Sequence, residues 1–268
     1  MSSPWQSDWV TRLSRFSLAA LLLLAGCDSG IDRALEQTIE QVYKVDPNAA
    51  ISIRNTDGSI QIYGGSSNEL RLYARKKAYR QDRLEKITVS VKAQPSLVSI
   101  DTIYPPKPRL GLTDRSGTVD YVLLVPDTCT ITRVELTNGE VLLEGLRGKS
   151  VRANLVNGHL IDHNCFADTQ LFVANGTLDI GYDWWEKRKF AIDARIVNGN
   201  ARALVPGEAS FHLVAGTEDG NIANEFSEQE DRGDGPVKKI DAVVGSSPEV
   251  DITLQATNGD IRIAKSNP

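Results

Sequence analysis

The stretch Arg133–Leu146, RVELTNGEVLLEGL, alternates apolar and polar side chains on both sides of a central Asn138-Gly139. A period of two reads as extended strand, and an Asn-Gly pair between two such runs is a strong local signal for a hairpin. A hairpin tip has no reason to return at a fixed interval. Yet Asx-Gly pairs begin at Asp57, Asn138, Asn157, Asn175, Asn198, Asp219 and Asn258, and from Asn138 the steps are 19, 18, 23, 21 and 39 residues, the last about two periods. Recurrence near 20 residues is the mark of stacked coils.

The register extends beyond the pair. Three residues after the Asx stand Ile60, Val141, Leu160, Leu178, Ala201, Ile222 and Ile261, and four before it stand Ile53, Val134, Ala153, Leu171, Ala194, Ala215 and Leu254. The residues between the inward positions, such as Arg54, Glu135, Asn154, Arg195 and Gln255, are mostly polar. Strand alternation locked to a fixed corner predicts coils, each of a short strand, a tight bend and a second short strand. The expected fold is therefore all-β, a single-stranded β-solenoid (β-helix) with repeats of about 20 residues and corners at Asn138-Gly139, Asn157-Gly158, Asn175-Gly176, Asn198-Gly199 and Asn258-Gly259. Stacked asparagines at about 4.8 Å spacing can share side-chain hydrogen bonds along the stack.

Composition agrees with thin, repetitive packing: 41% of the 268 residues are apolar but only 6% aromatic. The net charge of −5, with Lys and Arg spread along the chain, argues against nucleic acid as a partner.

At the start of the chain Arg12 and Arg15 precede an apolar run, Phe16 to Ala25, too short for an ordinary membrane span and ending in LLLLAGC. This predicts a signal peptide over residues 1–26. Leu24-Ala25-Gly26-Cys27 resembles the lipobox of bacterial lipoproteins, which implies acylation of Cys27 and a membrane-anchored, extracytoplasmic chain in the bacterial cell envelope. By the same resemblance Asp28 favours the periplasmic face of the inner membrane, with the outer membrane as the alternative. Residues 27–45 are expected as a lipidated tether and N-terminal cap. Ile31–Val45 fits both an amphipathic helix (Ile31, Leu35, Ile39, Val42) and an alternating strand, and residues 46–268 form the solenoid.

The segments VDYVLLVPDTCTITRVELTNGEVLLEGLRGKSVRANLVNGHL (Val119–Leu160) and GSSPEVDITLQATNGDIRIAK (Gly245–Lys265) resemble the bacterial β-strand-repeat family named "putative adhesin", a domain of unknown function. The resemblance runs from about residue 45 to 265 and implies an envelope or surface adhesion module. Between Gly64 and Val119 the repeat is blurred and Pro-rich, consistent with longer strands, a loop and one unmarked corner near residue 119.

Chemistry is sparse. Two residues after the Asx, on the outward side, stand Ser59, Glu140, His159, Thr177, Asn200, Asn221 and Asp260, where only Glu140 beside His159 suggests an acid–base pair. In NGHLIDHNCFAD a strand would aim His159, Ile161, His163 and Cys165 the same way, but two imidazoles and a thiol of unplanned spacing make a poor metal site. No metal, cofactor or catalytic residue is assigned. The insertion GYDWWEKRKFAID places Trp184 and Trp185 beside Lys187 and Arg188, which reads either as a contact loop for a protein or glycan partner or as tryptophans packed on the flank of the coils. Cys129 and Cys165 fall about two coils apart, beyond the roughly 7 Å that a disulfide allows. The function that fits is a non-catalytic, lipid-anchored adhesion or interaction scaffold. The alternatives are a carbohydrate-active β-helix enzyme, which needs acids in line on one face, and an accessory of envelope stress signalling or assembly.

Overall fold

The computed structural model describes residues 34–106, 117–226 and 237–266. The chain divides into Met1–Ala34 and Leu35–Pro268, and all the secondary structure described belongs to the second unit. The predicted signal segment and the lipidation site Cys27 lie outside the described residues. In chain order the elements are β1 (Leu35–Lys44), β2 (Ala50–Gly65), β3 (Glu69–Ala78), α1 (Gln81–Lys86), β4 (Thr88–Gln94), β5 (Leu97–Ile103), β6 (Thr118–Pro126), β7 (Thr130–Glu144), β8 (Ser150–His163), β9 (Asp168–Gly181), β10 (Phe190–Pro206), β11 (Phe211–Asp219), β12 (Ile222–Asn224), β13 (Lys238–Val244), β14 (Val250–Asn258) and β15 (Ile261–Ser266). The protein is all-β, its strands joined in one open, mixed sheet.

The middle of that sheet is a parallel stack in which each corner lies on the next. Asn138 pairs with Asn157, Asn157 with Asn175, Asn175 with Asn198, and Asn198 with Asn258. At the corners of Asn138, Asn157, Asn175 and Asn198 the strands do not break. From β7 to β10 backbone pairing runs through them, so each of these levels is one long strand bent at its glycine, whereas the level of Asn258 is divided at the corner into β14 and β15.

Two physical devices hold the bend. Each asparagine donates its Nδ2 to the Oδ1 of the level before: Asn157 to Asn138 at 2.8 Å, Asn175 to Asn157 at 3.0 Å, Asn198 to Asn175 at 2.8 Å and Asn258 to Asn198 at 2.8 Å. The row ends where Asn138 donates to the Asp57 carboxylate at 2.7 Å. An amide carries both a donor and an acceptor, so it extends such a row in both directions, which the acceptor-only carboxylate of Asp57 does not. The glycine then supplies what no other residue can. Gly176 has φ of 139°, and a Cβ on it would sit 1.8 Å from the carbonyl oxygen of Gly158.

The core is the inward side of these bent strands, aliphatic along each row: Val141, Leu160, Leu178, Ala201 and Ile261 are all buried, as are Val134, Ala153, Leu171, Ala194 and Leu254. Thr169 and Thr217 enter it by donating to the backbone oxygens of Ala167 and Gly259.

The ends depart from the expectation of coils stacked in chain order. β2, first of the long strands in the chain, is second in the stack: β7 lies on one side, while β5 and β6 together form the level on the other. That split level contains the corner without an Asx, since Val119 pairs with Gly58. Likewise the last coil in the chain, β14 and β15, is threaded between β10 and the end level formed by β11 and β12. Antiparallel strands then cover the end levels: β4 on β5, β3 on β6, and β13 on β11. The 39-residue step before Asn258 thus holds an antiparallel cover strand and not a further parallel coil. Residues 35–44 form a strand and not a helix, and β1 lies on β3 rather than directly over a coil. A bare parallel edge exposes unpaired N–H and C=O groups, which the returning strands occupy.

Candidate functional site

Because the stack from β8 to β11 is in register, its outward side chains fall into straight rows, whereas an irregularity in β7 after Ile131 shifts the register there. Three residues before the corner the row reads, in stack order, Asn154, Phe172, Arg195, Gln255, Gly216 and, on the antiparallel β13, Lys239. Phe172 is the anomaly: it is exposed in a row that is otherwise polar or glycine. Beside it the parallel row carries Arg152, Gln170, Asp193, Thr253 and Val214. Two adjoining clefts of about 550 and 320 Å³ open on this face and share Phe172 and Arg195. Arg195 chelates Asp193 at 3.0 and 3.1 Å, and Arg152 Nε donates to Gln170 Oε1 at 3.0 Å. Phe172 was legible as the apolar exception among outward polar positions, but it draws notice only when the whole row is compared.

The opposite arm of the corner carries a polar staple. Asp179 accepts from Arg202 Nε at 2.9 Å and lies 2.6 Å from His159 Nε2, joining three adjacent strands. Glu140 does stand next to His159 in the ladder, as the sequence suggests, yet the imidazole bonds to Asp179 on its other side. The group ties three levels together. His163 faces Glu144 at 3.7 Å and Asp183 at 3.2 Å. Cys165 does not share that face: Asn164, with φ of 52°, turns the chain so that Cys165 is fully buried. The proposed alignment of two histidines and a thiol is therefore absent. Among the described residues no group of three or more His, Cys, Asp or Glu side chains is placed to hold a metal ion.

The insertion between β9 and β10 divides its aromatic residues between core and surface. Trp185 is half-buried against Tyr182, Phe190 and Phe211, with ring centroids 5.4 to 6.0 Å apart. Trp184 is exposed to 44%, rests on Phe166, and has the Arg147 guanidinium 5.9 Å from its ring centroid. Glu186 anchors the loop by accepting from Arg147 Nη2 at 2.7 Å, and Arg188 donates to the Arg147 carbonyl. Lys187 is exposed. Of the four residues singled out in the sequence, Trp184 and Lys187 face solvent, whereas Trp185 and Arg188 are partly covered.

One buried group has no counterpart elsewhere in the stack. Asp162 stands in the inward row between Leu143 and Ile180, is 1% exposed, and neither carboxyl oxygen has a hydrogen-bond partner. Burial pushes its pKa up to about 7, while the nearby Cys165 thiol and His163 pull the other way. Cys129 and Cys165 are both free and buried, in loops separated by the loop of Gly148. Burial raises both thiols, Cys129 to about 12. Neither is a reactive centre.

No protein-family model matches the chain. No curated protein matches it either. Among solved structures it is similar to a "putative cell adhesion protein" from Clostridium sporogenes, at 13% identity over 86% of this chain and 100% of that one, with a TM-score of 0.47. It is also similar to a "putative adhesin" from Bacteroides fragilis (12% identity, 85% and 97% covered, TM-score 0.29) and to a "putative lipid binding protein" from Parabacteroides distasonis (10% identity, 87% and 97% covered, TM-score 0.26). Likeness at this level assigns neither a family nor an activity. Among the described residues no helix is long and apolar enough to cross a membrane.

Proposed function

We propose that this protein is a non-enzymatic adhesion or interaction scaffold of the bacterial cell envelope, a β-solenoid held to a membrane by acyl chains on Cys27. The observation that carries the reading is the outer face before the corners, here the first outer face, where backbone pairing and locked corners set side chains in straight rows and Phe172 is left exposed among polar neighbours. A surface of that kind is preorganised: its strands lose little freedom on contact, so weak contacts repeated along a row can add up. The exposed Trp184 and Lys187 offer a second contact point at the flank. The lipobox-like Leu24–Cys27 supports the anchor, and several acyl chains tether a protein stably where one does not.

The test is attachment of whole cells to a coated surface. Deleting the gene should abolish attachment, restoring it in trans should recover it, and Cys27→Ser should release the protein from the detergent phase and reduce attachment. Cells lacking the protein that attach as well as wild type would overturn the reading.

A further inference from the structure

The molecule offers several places to look for a ligand. The His159–Asp179–Arg202 group is satisfied internally, Asp162 is sealed from solvent, and the aromatic cluster around Tyr182 is packed into the core. The groove on the outer face of Phe172 differs in being open and continuous across the stack.

Its two clefts run from Arg152 and Asn154 on β8 across to Lys238 and Lys239 on β13. That is five strand steps, about 24 Å at the ordinary strand spacing. Four cations line it, Arg152, Arg195, Lys238 and Lys239, against two carboxylates, Asp193 and Glu218. Among the described residues the lining thus holds two more cations than carboxylates, in a chain of net charge −5. Lys239 is exposed and forms no ion pair among the described residues, and Lys238 donates to the amide oxygen of Asn221. Gly216 leaves the floor without a side chain between Gln255 and Lys239, so the groove stays open there.

What fits is constrained by the walls. β8, β9, β10, β14 and β11 are each paired on both sides, so the one bare edge is that of β13 at the end of the groove, where an added strand would run along β13 and not across the groove. The apolar lining is broken by charged and amide groups, which suits neither an acyl chain nor a hydrophobic helix. Guanidinium and amide planes, from Arg152, Gln170 and Gln255, are the groups that hold carboxylates and hydroxyls in fixed orientation. The exposed Phe172 ring gives an apolar platform for the flat C–H face of a sugar ring. We infer that this groove binds an extended acidic polysaccharide, laid across β8, β9, β10, β14, β11 and β13 with a sugar ring on Phe172 and carboxylates toward Arg152 and Lys239. The assignment rests on the scaffold reading above and names the ligand class of its first outer face.

The test uses the full chain in detergent with polygalacturonate and alginate as acidic probes, dextran as a neutral one, and phosphatidylglycerol vesicles as an anionic surface without sugar. Binding to an acidic polysaccharide, weakening steeply with added salt and absent for dextran, is expected. Phe172→Ala and Lys239→Glu should each reduce it by tenfold or more while leaving the thermal midpoint in place, both residues being exposed. The inference is overturned by no binding to either acidic probe, by equal binding to dextran, by preference for the vesicles, or by binding that both substitutions leave intact. Cells carrying either variant that attach like wild type would remove the groove from adhesion, whereas only attachment by cells without the protein removes the scaffold reading itself.

Discussion

The middle of the stack and its two ends solve the same problem with different means. Between β7 and β10 the levels follow chain order, each corner is Asn-Gly, and each asparagine bonds to the one before. At the ends the chain order is broken, one corner has no Asx at all, and antiparallel strands take over. The difference teaches that repetition is sufficient only where a level has a like neighbour on both sides. An end level has one such neighbour, and its other edge must be paired by something that does not continue the repeat. Threading the first and last coils inward places both chain-terminal coils between two neighbours, which leaves fewer loose edges to fray.

The largest effect should separate a mid-stack corner from a glycine near the end of β2. Gly176→Ala would force a Cβ to within 1.8 Å of the Gly158 carbonyl oxygen at φ of 139°, and a loss of at least about 3 kcal/mol in urea unfolding is expected, or failure to fold. Gly65→Ala meets nothing closer than the Val125 oxygen at 4.0 Å and should change stability by no more than about 0.5 kcal/mol. Equal losses would mean that the corner carries no special strain.

Next in size is the carboxyl buried in the middle of the stack. The folded-state pKa of Asp162 is raised by burial to about 7 from the ordinary 3.8, so between those values the folded protein binds a proton that the unfolded chain releases. Stability should therefore fall as pH rises from about 4 to 7 and level off above, by up to about 4 kcal/mol at roughly 1.4 kcal/mol per pH unit. Asp162→Leu, matching its neighbours Leu143 and Ile180 in the row, should flatten that slope and raise the melting point at pH 8. A wild-type stability that rises through this window would show that Asp162 has a partner.

A smaller contrast lies along the asparagine row. Asn175→Ala removes two ladder bonds, to Asn157 and from Asn198, and should cost about 1–3 kcal/mol. Asp57→Ala, at the end of the row, removes one and should cost about half as much. If the terminal change were the worse, the row would not be the element that holds the middle together.

The smallest effect is at the other end, where His212 on β11 reaches Asp241 on β13 at 2.9 Å and Asp251 on β14 at 3.2 Å. The two carboxylates raise its pKa above the ordinary 6.5, Asp241 contributing most. This tie is complete below pH 6.5 and is lost as pH rises through the shifted value, weakly because the group is largely exposed. A ring titration followed by NMR should have its midpoint above 6.5 and move down in Asp241→Asn. A midpoint that ignores the substitution would exclude the tie.

How much of this was readable beforehand follows the same division. The corner register was legible because Asn-Gly, with inward residues three after and four before it, recurs at all mid-stack levels. Even the unmarked corner near residue 119 could be placed by counting. Threading was not legible, since β11 and β14 carry the same alternation and either would fit beside β10 by pattern alone. Their order is decided by which cover strand closes the end, a non-local matter. The candidate face was hidden for the same reason: Gln255 stands between Arg195 and Gly216 only because the last coil is threaded there. Of the tryptophan pair, sequence identified the loop but not the way Trp185 enters the aromatic cluster.

The threaded order can be tested directly with paired cysteines on the outward row. Asp193 and Val214 each pair with Thr253, from β10 and β11 on its two sides. Neighbouring parallel strands lie about 4.8 Å apart, within disulfide reach, whereas strands two steps apart lie near 10 Å and are beyond it. Asp193→Cys with Thr253→Cys, and Val214→Cys with Thr253→Cys, should each form a disulfide under mild oxidation, while Asp193→Cys with Val214→Cys should remain reduced. A rapid Asp193→Cys to Val214→Cys crosslink, with Thr253→Cys left free, would show that the coils follow chain order and that the row on which the groove is built does not exist.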